Sequence, residues 1–282
     1  MKGSAILMTL WWAAAGFAKD CPKCNEWTQP QKPFKVYGNT YYVGTKALSS
    51  LLLTSDKGHI LIDATVDESA EQVANNIRAL GFKVEDVKVI LNSHAHFDHA
   101  GGIAQLQKVS GAQVRVSEWS AKVLSTGHDS PDDPLFGEIR NVTPVKEVRV
   151  VKDGEVVTVG ALQLTAHLTP GHTPGGTSWT WQSCEHSRCL NMAYADSLSA
   201  VSSKAYKFSK APTMLESFEH SFATVAALPC DILITPHPEF VGLLAKVSDP
   251  KQFVDPQACK RYAADAKKSL EKRLVKEGRP GT

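Results

Sequence analysis

The chain has 282 residues, of which 43% are hydrophobic and 21% charged, and its formal net charge is +2. That apolar content supports a sizeable core and excludes an intrinsically disordered chain. Basic and acidic residues are mixed throughout, with no basic block to follow a phosphate backbone, so no nucleic-acid partner is expected.

Met1-Lys2, an apolar stretch from Ala5 to Phe17 and the small-residue pattern Gly16-Phe17-Ala18 before Lys19-Asp20 have the order of a cleavable secretory signal. The apolar stretch is shorter than the roughly 20 residues that span a bilayer. The expectation is therefore a signal peptide over 1–18 and one exported, periplasmic domain over 19–282, with no lasting membrane association. An oxidising compartment makes the six cysteines disulfide candidates. Pairing within Cys21/Cys24, Cys184/Cys189 and Cys230/Cys259 is the simplest of the connectivities six cysteines allow, and spacing alone leaves the others open. Cys21-Pro22-Lys23-Cys24 also has the spacing of a redox pair, although no βαβ unit surrounds it.

Phe34 to Val43 alternates around Gly38-Asn39, and Ser50 to Thr54 and His59 to Asp63 flank Ser55-Asp56-Lys57-Gly58, so two hairpins are predicted. Val66, Ala70, Val73, Ile77 and Leu80 recur at helical spacing until Gly81. Val87 to Leu91 reads as a buried strand, followed three residues later by a histidine cluster on a loop. Gln113 to Ser117 is predicted as strand, Trp119 to Leu124 as helix, and the Asp-, Pro- and Gly-rich stretch 127–145 as a long loop that could wall a cleft. Val145 to Val151, Val156 to Val159 and Leu162 to His167 are further strands. Thr177 to Gln182 and Cys189 to Tyr194 form another hairpin, Met214 to Ala227 a helix, and Asp231 to Thr235 a strand. Asp255 as N-cap and Pro256 at the first position open a last helix with Cys259, Tyr262, Ala263, Ala266, Leu270 and Leu274 on one face. No internal repeat and no Gly/Ser linker divides the chain. Two sheets between helices fit this order.

His94-Ala95-His96-Phe97-Asp98-His99 packs four ligand-type side chains into six positions, which a structural role does not explain and a zinc site does. His94 and His96 alternate on an extended segment, and Asp98 and His99 follow where the chain turns. His172, in Thr169-Pro170-Gly171-His172-Thr173-Pro174-Gly175-Gly176, and His237, in Thr235-Pro236-His237-Pro238, each follow a strand, where α/β sheets tend to place their sites. His59, His128, His167, His186 and His220 lack such settings and are read as structural or surface residues. Asp63, ending a strand, either orients the metal loop or caps a turn.

The pattern formed by His94, His96, Asp98, His99, Gly101 and Gly102 resembles the signature of the metallo-β-lactamase superfamily, which implies an α/β, four-layer αββα sandwich. That motif reaches only the superfamily, which also contains glyoxalase-type thioesterases, lactonases and nucleases. Nearly the whole mature length is similar to the third, di-zinc subclass of class B β-lactamases. The similarity lies in Pro33-Phe34, Gly38-Asn39-Thr40, Tyr42 to Thr45, Gly58 to Asp63, Ser130 to Pro134, Gly171 to Gly175, Tyr194 to Ser199 and Thr235 to Pro238. The first subclass would place a cysteine where this chain has Ser197, and the second would replace His94 with Asn.

The resemblance implies two zinc ions, the first on His94, His96 and His172 and the second on Asp98, His99 and His237. It further implies that Asp98 orients a metal-held hydroxide that attacks the lactam carbonyl without an acyl-enzyme. Ser197 would hold water near the second ion and Ser199 would bind the substrate carboxylate, where the plain alternative is two loop hydroxyls. Asp196 bridges metals in thioesterase relatives, and the lactamase resemblance implies that here it does not. The function so implied is hydrolysis of small β-lactams (penicillins, cephalosporins and carbapenems) by a monomer, conferring antibiotic resistance. The rivals are a lactonase or thioesterase on the same fold and a zinc-binding protein without catalysis.

Overall fold

The computed structural model describes residues 21–278. The expected signal peptide lies outside the described residues. Short helix α1 (Cys24–Trp27) leads into strands β1 (Phe34–Tyr37), β2 (Thr40–Tyr42), β3 (Leu51–Ser55) and β4 (Gly58–Ile62), then helix α2 (Ala70–Ala79) and strand β5 (Val87–Leu91). Helices α3 (Phe97–Ala100) and α4 (Ile103–Ser110), strand β6 (Gln113–Val116), helix α5 (Glu118–Thr126) and strand β7 (Val148–Val150) complete the first half. The second half has strands β8 (Val156–Val159), β9 (Leu162–Leu168), β10 (Thr177–Glu185) and β11 (Arg188–Tyr194), helix α6 (Pro212–Ala227), strand β12 (Ile232–Ile234) and helix α7 (Ala258–Lys276).

Strands β1 to β7 form one sheet in sequence order, and β12-β11-β10-β9-β8 form the other. Strand periodicity of two sorts each strand's side chains between the layers. Leu51, Leu53, Ile60 and Ile62 point between the sheets and meet Trp179, Leu164, Met192 and Tyr194. Leu52, Leu61 and Ile90 point outward onto Val73 and Ile77 of α2, Ile103 and Leu106 of α4 and Leu124 of α5. On the opposite side Ala193 and Leu233 pack on Phe218 and Phe222 of α6 and on Cys259 and Leu270 of α7. These three apolar clusters are the interfaces of the expected αββα sandwich. All five residues of β4 are buried, as a strand covered on both faces requires.

Several details differ from the sequence-based expectation: helix α1 was not foreseen, and the strand expected over Val145 to Val151 shortens to β7, Val148–Val150. The helix expected from Val66 begins as a single 3-10 turn, Asp67–Ser69, and becomes α-helical only at Ala70. Helix α3, which holds the last part of the histidine cluster, and α4, which follows it, were not anticipated, because the cluster reads as loop. Finally, α7 starts at Ala258 with Gln257 as N-cap. Pro256 lies in the preceding turn, where Asp255 Oδ1 accepts the Gln257 N–H at 3.1 Å.

All three simple cysteine pairs are disulfides: Cys21–Cys24, Cys184–Cys189 and Cys230–Cys259. Cys184 and Cys189 are register partners in the β10/β11 hairpin. Cys230–Cys259 joins the segment before β12 to α7.

Candidate metal centre

The strands β4, β5, β9, β11 and β12 all end on one rim of the sandwich, and the connections leaving them carry the histidines and acids singled out in the sequence. From β5 the chain stays extended through His96 (φ −70°, ψ 148°) and then turns into α3, which puts Asp98 and His99 in its first turn. Two contacts across the sandwich fix this segment: Trp179 Nε1 donates to the Asn92 carbonyl at 3.2 Å, and the Thr177 N–H donates to the Ser93 carbonyl at 2.8 Å.

Asp63 anchors it from below. Its carboxylate accepts from Asn92 Nδ2 (2.8 Å), the Ser93 N–H (2.7 Å), Ser93 Oγ (2.6 Å) and Tyr194 OH (2.8 Å). Burial pushes this carboxyl above its ordinary value, opposed by His99 and by the Ser93 hydrogen bonds. Of the two roles the sequence left open for Asp63, its contacts are those of a residue orienting the metal loop.

The candidate ligands converge in two overlapping groups. One ligand atom from each of His94, His96 and His172 lies within 4.8 Å of the others, and the same holds for His94, Asp98 and His99. His237 lies beside the second group, with Nε2 3.3 Å from Asp98 Oδ2 and its ring 4.8 Å from that of His99.

In the first group each histidine donates its other ring N–H outward, which selects the tautomer. His94 Nδ1 donates to Asp196 Oδ1 at 2.7 Å, His96 Nε2 to Asp133 Oδ2 at 3.0 Å, and His172 Nδ1 to the Ser199 carbonyl at 2.9 Å. The remaining nitrogen of each is left for the shared space at which the three rings converge. Asp196 thus sits behind His94, on the opposite end of the ring from the centre.

Electrostatics match this geometry at His94, His172 and Asp98. Burial, then the neighbouring His99, His172 and His96, push His94 well below the ordinary imidazole range, and burial with His96 pushes His172 down to about 3. Burial would lower His96 as well, but the hydrogen bond and charge of Asp133 raise it. Burial alone would raise Asp98, yet the charge of His99 and the nearby ring nitrogens of His237 and His99 hold it well below the usual carboxylate range.

Neutral imidazoles and an ionised carboxylate are the protonation states that bind zinc. His94 Nε2 and both nitrogens of His99 are buried without a hydrogen-bond partner, although an unpaired buried polar atom is costly. A cation among them removes that cost, so the residues present fit a metal.

Ser197 is buried on the segment leaving β11, and Ser199 holds His172 through its carbonyl and through Oγ, 3.2 Å from Nδ1. His128 lies 3.0 Å from Asn141 on an exposed loop, and His186 is in the exposed turn of the β10/β11 hairpin, both outside the cluster.

The metallo-β-lactamase superfamily profile matches residues 43–185. The chain is 51% identical to the Rm3 metallo-β-lactamase, with 92% of this chain and 100% of that one aligned at a TM-score of 0.90. It is 50% identical to MEM-A1, a subclass B3 metallo-β-lactamase from a soil metagenome library, over 89% of this chain and 98% of that one at a TM-score of 0.87. The chain belongs to the metallo-β-lactamase superfamily, in subclass B3. It is a hydrolase of that superfamily. Among curated relatives it is 29% identical over 147 residues to a "Probable metallo-hydrolase" of Burkholderia pseudomallei (strain 1710b), covering 46% of each. It therefore spans less than half of that relative's length.

Sequence reasoning missed three residues that contact this B3 centre. Asp133, the partner of His96, comes from the 127–145 loop, where it was only one of two adjacent aspartates between Pro131 and Pro134. Tyr262 of α7 donates to the Asp196 carbonyl at 3.1 Å and accepts the Leu198 N–H at 3.1 Å, while the helical pattern shows it only as part of an apolar face. Trp27 packs against His237 and carries no motif at all.

Proposed function

We propose that the protein is a periplasmic di-zinc β-lactamase acting on penicillins, cephalosporins and carbapenems. The observation that carries this is the pair of converging ligand groups with buried, unpartnered nitrogens, in a chain about half identical to named β-lactamases over nearly its full length. His94, His96 and His172 would hold one ion, and Asp98, His99 and His237 the other. Bound zinc would supply Lewis acidity toward a lactam carbonyl and lower the pKa of water.

The chain's own residues do the rest. Asp98, kept ionised by His99 and His237, contributes the single anionic ligand and an acceptor that orients the attacking water. None of the three imidazoles of the first group brings a negative charge, so a cation held there would keep its positive charge available to a developing oxyanion. Ser197 and Ser199 offer hydroxyls for water and for the substrate carboxylate. A cavity of about 390 Å³ beside Ser199 is lined by Phe240, Arg261 and Tyr262 and by none of the six candidate metal ligands, so it is separate from the centre itself. Export rests on the Met1 to Ala18 pattern and agrees with three disulfides; no helix among the described residues is long and apolar enough to cross a membrane.

The test is hydrolysis of a chromogenic cephalosporin, a penicillin and a carbapenem before chelation, after chelation and after zinc is restored, with metal content counted by native mass spectrometry. Activity lost and regained with two zinc equivalents is expected. Turnover of a lactone or thioester with none of the β-lactams would overturn the substrate assignment, and activity indifferent to chelation would overturn the metal.

A further inference from the structure

A ligating imidazole can rotate about its Cβ–Cγ bond, and a hydrogen bond from its other nitrogen normally stops that rotation. His94, His96 and His172 have such bonds, and His99 is fully enclosed, with Nδ1 3.9 Å from Asp63 Oδ2. His237 is different. Its side chain is 18% exposed, and no hydrogen-bond acceptor for its Nδ1 is found among the described residues. Rings bound it instead: His99 at 4.8 Å, Phe240 at 5.4 Å and Trp27 at 6.1 Å between centroids. Phe240 is half-exposed and belongs to the same turn as His237, so it moves with it. Trp27 arrives from a separate part of the chain.

Trp27 is held with unusual care for a residue so near the described end. It closes α1, a four-residue helix too short to persist alone. The Cys21–Cys24 disulfide staples that turn, and the Lys46 N–H ties the following Gln29 carbonyl at 3.0 Å. Arg140 donates to Cys24 Sγ at 3.4 Å and to Glu68 Oε1 at 2.7 Å, with its guanidinium 5.3 Å from the centre of the Phe97 ring. Phe97, between His96 and Asp98 in sequence, is the other ring against Trp27, at 5.6 Å. Trp27 therefore touches both chain segments that build the second ligand group, and the Cys-Pro-Lys-Cys motif gains a role without redox chemistry.

We infer that Trp27, clamped by the Cys21–Cys24 staple, is a positioning residue for His237 and controls retention of the second metal ion while leaving the first unaffected. The inference rests on the two-ion reading above. Its test is zinc binding by the full mature chain, followed by native mass spectrometry and chelator competition, together with cobalt(II) titration followed by its visible ligand-field bands. Trp27→Ala should weaken the second equivalent by roughly tenfold or more, the range for losing a group that orients a ligand, with the first equivalent unchanged. Trp27→Phe should restore most of the loss, because a ring suffices. The double substitution Cys21→Ser/Cys24→Ser should shift the second equivalent in the same direction by a smaller factor.

Circular dichroism of each variant identifies any that fails to fold, and Trp27→Phe then decides by comparison with wild type. Equal retention of both ions by Trp27→Ala, or equal loss of both, overturns the positioning role alone. A wild-type protein that takes up only one ion overturns the two-ion reading, and the positioning role falls with it.

Discussion

At the scale of single residues, the centre depends on which nitrogen of each histidine is occupied from outside. Asp133 holds His96 by Nε2, and Asp196 holds His94 by Nδ1. Asp133→Ala should therefore weaken metal binding about 10- to 100-fold, the usual cost of losing such a partner. Competition against a chromophoric chelator measures this, and unchanged affinity would show that His96 needs no carboxylate. Asp98→Asn removes the only charge in the ligand set and should depress β-lactam turnover far more than His128→Ala or His186→Ala. Comparable kcat/KM losses in all three would show the ligand assignment to be wrong.

At the scale of elements, the site exists because α3 and α4 can lie close against the end of β4. A Cβ on Gly102 would meet the Ala64 carbonyl at 2.4 Å, and one on Gly176 would meet the Thr169 carbonyl at 2.3 Å and Asp196 Oδ2 at 2.5 Å. Backbone atoms cannot swing aside as a side-chain tip can. Gly102→Ala should cost about 1–3 kcal/mol of stability, as overpacking does, read from urea unfolding of the metal-free protein. An unchanged midpoint would mean that α4 shifts freely. These close approaches also explain why α3 and α4 escaped sequence reading, whereas β5 and β8 match it residue for residue. A strand's burial alternation is local, but a helix following His94 to Gly102 is stabilised by docking on Ala64 to Asp67, far away in sequence.

At the scale of the whole molecule, three apolar interfaces hold four layers, and the Cys230–Cys259 bridge fastens the last layer to the second sheet. Through Tyr262, one turn beyond Cys259 on α7, that layer also grips the Asp196 to Leu198 backbone. The two cysteines are 29 residues apart, against 5 for Cys184 and Cys189. Loop-closure entropy then predicts a loss of about 3–4 kcal/mol for Cys230→Ser/Cys259→Ser and about 2 kcal/mol for Cys184→Ser/Cys189→Ser. Urea denaturation of both double variants checks the order. Equal losses would show that native contacts, rather than the unfolded chain, dominate the effect.

The sequence by itself determined the strand pattern, the layer order and the histidines and acids that gather at one rim. Side-chain periodicity and strand ends are written in neighbouring residues, and the family resemblance rested on motifs that are equally local. Only the tertiary structure decided which aspartate stands behind which histidine, that Asp196 faces the back of the His94 ring, and that Trp27 packs against His237. Those contacts join loops from separate strands, with His94 and Asp196 102 positions apart and His96 and Asp133 37 apart. No spacing rule reaches so far, because the packing of two sheets alone sets the distance between their ends.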